Sequence, residues 1–400
     1  MSSADHEGGG GIVRGKKVGM VARQLVDLEQ RKVVSHERWL YAVELTKLLV
    51  DLGYHVEWRQ LGNGWCTEII PGVPLWGTLP GEAQFHTYPL ASEAFLEQSG
   101  DVDWAIYFDP ILAYPQAHPL SIAIDHGVYW DDAMFESSLP TQTVRDEWKR
   151  RLWCAYTGVW AVVAVDTGVI QWATATWPGM HHRFTYIPNF VPPASEQPAG
   201  EQKPEMLAAA EPVENRPFRV LYPGQLVPSE GVSEVVRTME YLLESSNSYQ
   251  FYLIGSGSDE ARRFMTEWAN QRHPHVCYQP QPLSESLLAQ MDVVIFPAKS
   301  GQGTSMLCLQ AMAAGKPVVV AQTGGLTDII IHDHNGVVIQ PTAERLVRVL
   351  EELRQQPERR RLLGHHARQV AASFSLEHWR ARWRRFLEHV GLGSERGETG

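Results

Sequence analysis

The stretch VVIFPAKSGQGTSMLCLQAMAAGKPVVVAQTGG, Val293 to Gly325, reads as strand, glycine-rich turn, helix and second strand. VVIFP and PVVVA are short apolar runs rich in β-branched residues and bounded by Gly and Pro, the pattern of buried strands. Between them, Gly301 to Ser305 supply a Gly/Ser turn, and the spacing predicts a helix beginning near Thr304. Strands that alternate with helices imply a parallel sheet covered by helices.

The alternation extends outward from this stretch. FRVLYPG (218–224) begins the unit and YLIG (252–255) continues it. Gly224 to Pro228 follow the first strand and precede a helix near Gly231; Gly255-Ser256-Gly257 follow the strand FYLI; Gly324-Gly325 follow PVVVAQT. A single glycine after a strand is ordinary turn chemistry. Several such turns along one edge of one sheet predict a nucleotide-type site, because helix N-termini offer free N–H groups and partial positive charge to phosphates.

A second alternating unit lies upstream. KKVGMVA (16–22) reads as its first strand, and a helix follows from Ser35 as N-cap. Leu45, Leu48, Leu49 and Leu52 fall on one helical face, and Gly53 suits a left-handed cap. HVEW, WAIYF, SIAID and VVAV read as later strands. The segment 192–217, rich in Pro, Glu and Ala, has little to bury and reads as a linker. The chain therefore divides into a flexible leader (1–16), a Rossmann-like domain (17–191), the linker (192–217), a second Rossmann-like domain (218–373), a C-terminal helix (374–391), for which crossing back to the first domain is one option, and a tail (392–400). Two such α/β sheets would face each other across a central cleft, with ligand beyond the strands' carboxyl ends.

Composition narrows the function. Of 400 residues, 35 are basic and 46 acidic, a net charge of −11, which opposes general nucleic-acid binding. Cys66, Cys154, Cys277 and Cys308 are scattered without a CxxC pair, so neither a zinc site nor a disulfide framework is expected. The start lacks the apolar core of a signal peptide, and no apolar run approaches the ~20 residues of a membrane span; the expected location is cytoplasmic. In SLEHWRARWRRFLEHV, Trp379, Trp383, Phe386 and Leu387 line one face and four arginines lie elsewhere. This is a packing helix or, alternatively, a peripheral membrane-surface anchor. Asp101-Val102-Asp103 precedes a strand instead of following one and reads as a turn.

The pieces GQLVPSEGV (224–232), YLIGSGSDE (252–260), GTSMLCLQAMAAGKPVVVAQTGGLTDII (303–330) and NGVVIQP (335–341), with DLGYHVEW, IDHGVYWD and VVAVDTG…YIPNFV upstream, resemble glycosyltransferase family 4 of the GT-B fold. The resemblance runs from about Lys16 to Val390. It implies metal-independent transfer of a sugar, with retention of configuration, from a nucleotide-sugar donor to an acceptor (glycan, lipid or small molecule), and no cofactor. It places His126 beside the reacting sugar as the catalytic residue. Gly303, Thr304 and Ser305 would lie against the donor phosphates, Gln302 would face the sugar, and Gln310 the ribose. Gly325, Leu326 and Thr327 would close around the donor, with Gln225, Glu230, Gly255 and Lys299 on the same site. Tyr129, Trp130 and Asp131 would lie on the acceptor side.

Four positions depart from the family's pattern. Glu is usual at 302 and 310, Arg at 225, and Lys or Arg at 230; this chain has Gln302, Gln310, Gln225 and Glu230. Gln keeps the acceptor carbonyl but loses charge assistance, roughly halving the bond. The missing cations weigh more, because a departing diphosphate needs preorganised positive partners. Lys299, Arg23 and Arg38 are the candidates to replace them. The alternative is a folded pseudo-glycosyltransferase acting as a binding or partner subunit.

Overall fold

A computed structural model describes residues 16–392 apart from 28, 30, 81–87, 99, 101, 128–140, 194–215, 281–282 and 300–302. Nearly all of the linker 192–217, and the tail beyond 392, therefore lie outside the described residues. By their contacts the residues form two units, 1–123 with 151–160, and 124–150 with 161–400.

The first sheet is built from β1 (Lys17–Ala22), β4 (His55–Leu61), β5 (Gly64–Ile70), β6 (Val73–Leu79), β7 (Trp104–Tyr107), β8 (Ser121–Asp125), β9 (Ala161–Ala164) and β10 (Phe184–Tyr186). A small ribbon, β2 (Val26–Asp27) and β3 (Lys32–Val33), stands apart. The sheet's order is β10-β9-β8-β7-β1-β4-β6-β5. β1 pairs in parallel with both β4 and β7, whereas β5 and β6 form an antiparallel hairpin at the edge. That hairpin is absent from the sequence reading above.

The helix His36–Asp51 starts at Ser35, whose hydroxyl accepts the Arg38 amide. Leu45, Leu48 and Leu49 are fully buried. Leu52 is not: the helix stops at Asp51, and Leu52 caps it while 38% exposed. Gly53 has φ +86°, the left-handed cap expected of it.

The second sheet is all parallel: β11 (Phe218–Pro223), β12 (Tyr249–Ile254), β13 (Val276–Gln279), β14 (Val293–Phe296), β15 (Val318–Ala321) and β16 (Val337–Ile339), in the order β13-β12-β11-β14-β15-β16. Successive residues of a strand point to opposite faces. Val220, Phe251, Ile295 and Val319 accordingly enter one buried cluster, and Leu221, Tyr252, Val294 and Val320 the other. Helices cover both faces, which is why these strands read as continuous apolar runs. At the entry to β11, Arg216 grips the Asp292 carboxylate with both guanidinium nitrogens at 2.7 and 2.9 Å, and the Arg219 amide adds a third bond.

The C-terminal helix Leu376–His389 buries Trp379, Trp383, Phe386 and Leu387, and Trp379 packs on Phe190 with ring centroids 4.8 Å apart. Its apolar face is therefore used in packing and is not available to a bilayer. No helix among the described residues is long and apolar enough to cross a membrane. None of the four cysteines is in a disulfide. Of the DxD, Asp101 lies outside the described residues, and Asp103 accepts the Lys17 amide at 2.8 Å at the start of β1.

Candidate active site

The turns after β11, β12, β14 and β15 interlock at one edge of the second sheet. Tyr222, at the end of β11, is buried, and its hydroxyl lies 2.8 Å from the Gln225 carbonyl and 3.3 Å from that of Glu230. Burial raises this phenol well above its ordinary value, and the nearby Glu230 charge adds to the shift, so it stays a hydrogen-bond donor that pins the loop. The Leu226 amide donates to Ser256 after β12 at 2.8 Å. The Lys299 amide donates to Ser229 at 2.7 Å, joining the β14 and β11 turns. The Thr323 hydroxyl reaches the Ala298 carbonyl at 2.9 Å, joining β15 to β14. Gly255 sits where a Cβ would strike the Gly224 carbonyl, so the first two turns touch backbone to backbone.

Gln225 is exposed and Glu230 half-buried in the single turn Pro228–Glu230. Lys299 is not available as a free cation: its ammonium is 2.7 Å from the carboxylate of Glu234, itself 9% exposed. Arg38 is likewise committed. Arg38 bridges the fully buried Asp109 at 2.7 Å, and the Arg23 amide adds a bond at 3.1 Å. The two guanidinium charges hold Asp109 below the usual carboxylate range although burial pushes the other way. A buried carboxylate needs such partners, and this demand outranks any solvent-facing role for them.

The glycine-rich turn is built from inside the second unit. The Gly303 amide donates to the His126 carbonyl at 2.9 Å, and a Cβ at 303 would come within 2.8 Å of that oxygen and collide with Val165. Thr304 is fully buried. Its hydroxyl accepts the Asn189 amide at 2.8 Å and reaches the Val165 carbonyl at 3.1 Å, while the Asn189 side-chain amide donates to the Thr304 carbonyl at 2.5 Å. The helix consequently begins two residues later than expected, at Met306–Ala313, with Ser305 as N-cap accepting the Cys308 amide at 3.3 Å. The Thr304 hydroxyl is thus held inside the fold by Asn189 and Val165. Gln310 lies half-buried on that helix. Gly301 and Gln302 lie outside the described residues, as do Tyr129, Trp130 and Asp131.

His126 follows β8 and is half-buried; the next amide, of Gly127, donates to Asp125 at 3.1 Å. Gly325, Leu326 and Thr327 form the tight turn into Leu326–Ile329, where the Thr327 hydroxyl bonds back to the Gly324 carbonyl at 3.0 Å. With the Thr167 amide to Asp328 at 2.7 Å, these bonds link His126, Val165, Thr167 and Asn189 to the turns at Gly303–Thr304 and Asp328, all within the second unit. The roles of Tyr222 and Asn189 were not read from the sequence. Asn189 sits in YIPNFV, a quoted match, but a hydrogen bond spanning 115 residues has no local signal.

This architecture is the two-domain α/β GT-B fold. The chain superposes on the HepE protein of Anabaena, whose structure holds UDP-glucose, with a TM-score of 0.71 at 14% identity, covering 93% of this chain and 99% of that one. The family model of glycosyl transferases group 1 matches residues 205–370, the segment that contains the interlocked turns. Among curated relatives, an uncharacterised glycosyltransferase of Methanocaldococcus jannaschii is 32% identical over 127 residues, covering 30% of this chain. A GDP-mannose-dependent phosphatidylinositol monomannoside mannosyltransferase of Corynebacterium glutamicum is 25% identical over 214 residues, covering 50% of this chain. The chain spans 32% and 54% of those two relatives' lengths.

Proposed function

We propose that this chain transfers a sugar from a nucleoside-diphosphate sugar to an acceptor with retention of configuration and without a metal. The observation that carries the reading is the common edge built by the turns after β11, β12, β14 and β15, with the N-terminus of Met306–Ala313 opening onto it. The N-terminus of a helix suits a diphosphate, because its N–H groups and partial positive charge favour anions. Gln310 would accept a ribose hydroxyl, Gln302 would meet the sugar, and His126 would contact the reacting ring. Transfer would proceed at the front face of the donor carbon as the diphosphate leaves. The location expected for this work is cytoplasmic.

Thermal unfolding with UDP and GDP tests the reading. Ligand at about ten times its Kd stabilises the folded state by roughly 1.4 kcal/mol, which moves the midpoint of a chain this long by about 2 °C. No shift with either nucleotide at millimolar concentration would count against a nucleotide site.

A second reading, a subunit that binds nucleotide without transferring sugar, is favoured by the Lys299–Glu234 pair, which occupies the cation closest in sequence to the turn. Glu234→Gln leaves a neutral acceptor there and releases the ammonium. Because the pair is partly exposed, the stability cost is expected to be about 1 kcal/mol or less. The affinity for UDP or GDP, measured by titration calorimetry, is expected to rise roughly 3–10-fold. Unchanged affinity would place Lys299 away from the diphosphate.

A further inference from the structure

The Gly324–Thr327 turn is anchored by the residue that follows it. The Asp328 carboxylate accepts the Thr167 amide at 2.7 Å and the Thr167 hydroxyl at 2.5 Å. Thr167 opens the helix Thr167–Thr176, whose N-cap is Asp166, and Asp166 accepts the Val169 amide at 2.8 Å. Two carboxylates from distant parts of the chain thus share one helix N-terminus. Asp166 is 1% exposed, and its second oxygen has no hydrogen-bond partner among the described residues.

Burial pushes the Asp166 carboxyl up to about 7; the Asp328 charge adds to the rise, and the Val169 and Gly168 amides oppose it. Tyr186, hydrogen-bonded to Asp328, is raised by burial, with Asp328 and then Asp166 adding and Arg382 of the C-terminal helix opposing. The charged and titratable groups at this point are therefore Asp166, Asp328, Tyr186 and Arg382. One guanidinium and one helix end face two carboxyls in a setting of low polarity, where like charges resist joint ionisation.

We propose that Asp166 and Asp328 form a one-proton clasp. With the proton in place, Asp328 holds the Gly324–Thr327 turn against the Thr167–Thr176 helix. When the proton passes to solvent, repulsion between the carboxylates loosens the turn. Asp328 is on this account a positioning residue, and the consequence for donor binding rests on the reading that this turn touches the donor.

The sign follows from linkage. The folded chain keeps a proton on Asp166 that the unfolded chain, near 3.9, has lost, so the clasp weakens as pH rises and is weakest above about 7. Hydrogen exchange on the full chain from pH 6 to 8.5, corrected for intrinsic amide chemistry, reads this directly. The Leu326, Thr327, Asp328 and Ile330 amides are all internally bonded. Their protection is expected to fall roughly tenfold through about pH 7. In Asp166→Asn, which keeps the acceptor for Val169, the profile is expected to be level. A level wild-type profile, or an identical fall in both proteins, overturns the clasp. Should Asp166→Asn not fold, Asp328→Asn serves: with a single carboxylate left no repulsion can build up, the profile is expected to be level, and a fall like the wild type's overturns the proposal. Absence of nucleotide binding at every pH would remove the donor reading while the exchange profiles still decide the clasp.

Discussion

Gln225→Arg combined with Glu230→Lys is expected to raise sugar transfer by roughly 10²–10³, the size of the loss when one preorganised electrostatic partner is removed from a transition state. The two positions lie in a loop whose backbone is already pinned by Tyr222, by Ser256 and by the Lys299 amide. New side chains at 225 and 230 therefore change charge without rebuilding the loop. A unit charge about 4 Å away acts with about 4 kcal/mol at an effective dielectric of ~20. Half-buried Glu230 and exposed Gln225 will realise only part of it. The measurement is transfer or donor hydrolysis with UDP- and GDP-sugars, alongside nucleotide affinity. Activity appearing only in the double variant identifies the natural chain as a binding subunit. Unchanged rate and unchanged affinity would show that no diphosphate rests against this loop.

Gly231→Ala is expected to cost about 2–5 kcal/mol of stability and to abolish nucleotide binding. Gly231 has φ +77° and ψ 18°, and it both ends the Pro228–Glu230 turn and opens the helix Val232–Ser245. A left-handed backbone costs a residue with a Cβ about 1–2 kcal/mol. That Cβ would also strike the Pro297 carbonyl just after β14, a contact between backbones that no rotamer can relieve. Overpacking of this kind adds roughly 1–3 kcal/mol. Relief requires the Gln225–Glu230 loop to move away from the β14 turn, breaking the Lys299-to-Ser229 bond that aligns them. Urea unfolding checks the energy; a loss below about 1 kcal/mol would mean that the two turns are not in rigid contact.

The parallel sheets were legible because both faces of their strands are buried. Buried strands must be apolar throughout, and SIAID, VVIFP and PVVVA announce themselves within one residue or two of β8, β14 and β15. The β5–β6 hairpin was missed because GWCTEII and VPLWGTL mix Gly, Pro and polar residues at an edge where only one face need be apolar. Helix caps were legible at Ser35, where the capping bond is local. The helix expected to begin near Thr304 begins at Met306 instead, and the Thr304 hydroxyl is claimed by Asn189 and Val165, more than a hundred positions away.

By itself the sequence determined which residues must form strands and which turns end in glycine, since these follow from burial and from backbone sterics within a few residues. The resemblance carried by its motifs also put Gln225 and Glu230 where cations would be expected. Only the tertiary structure decided which charges are already spent. Lys299 and Arg38 look interchangeable in one dimension, yet Glu234 and Asp109 hold them, because a buried carboxylate binds a cation more tightly than solvent does. The sharing of one helix end by Asp166 and Asp328 is of the same kind: 162 positions separate residues that meet only when the chain has folded.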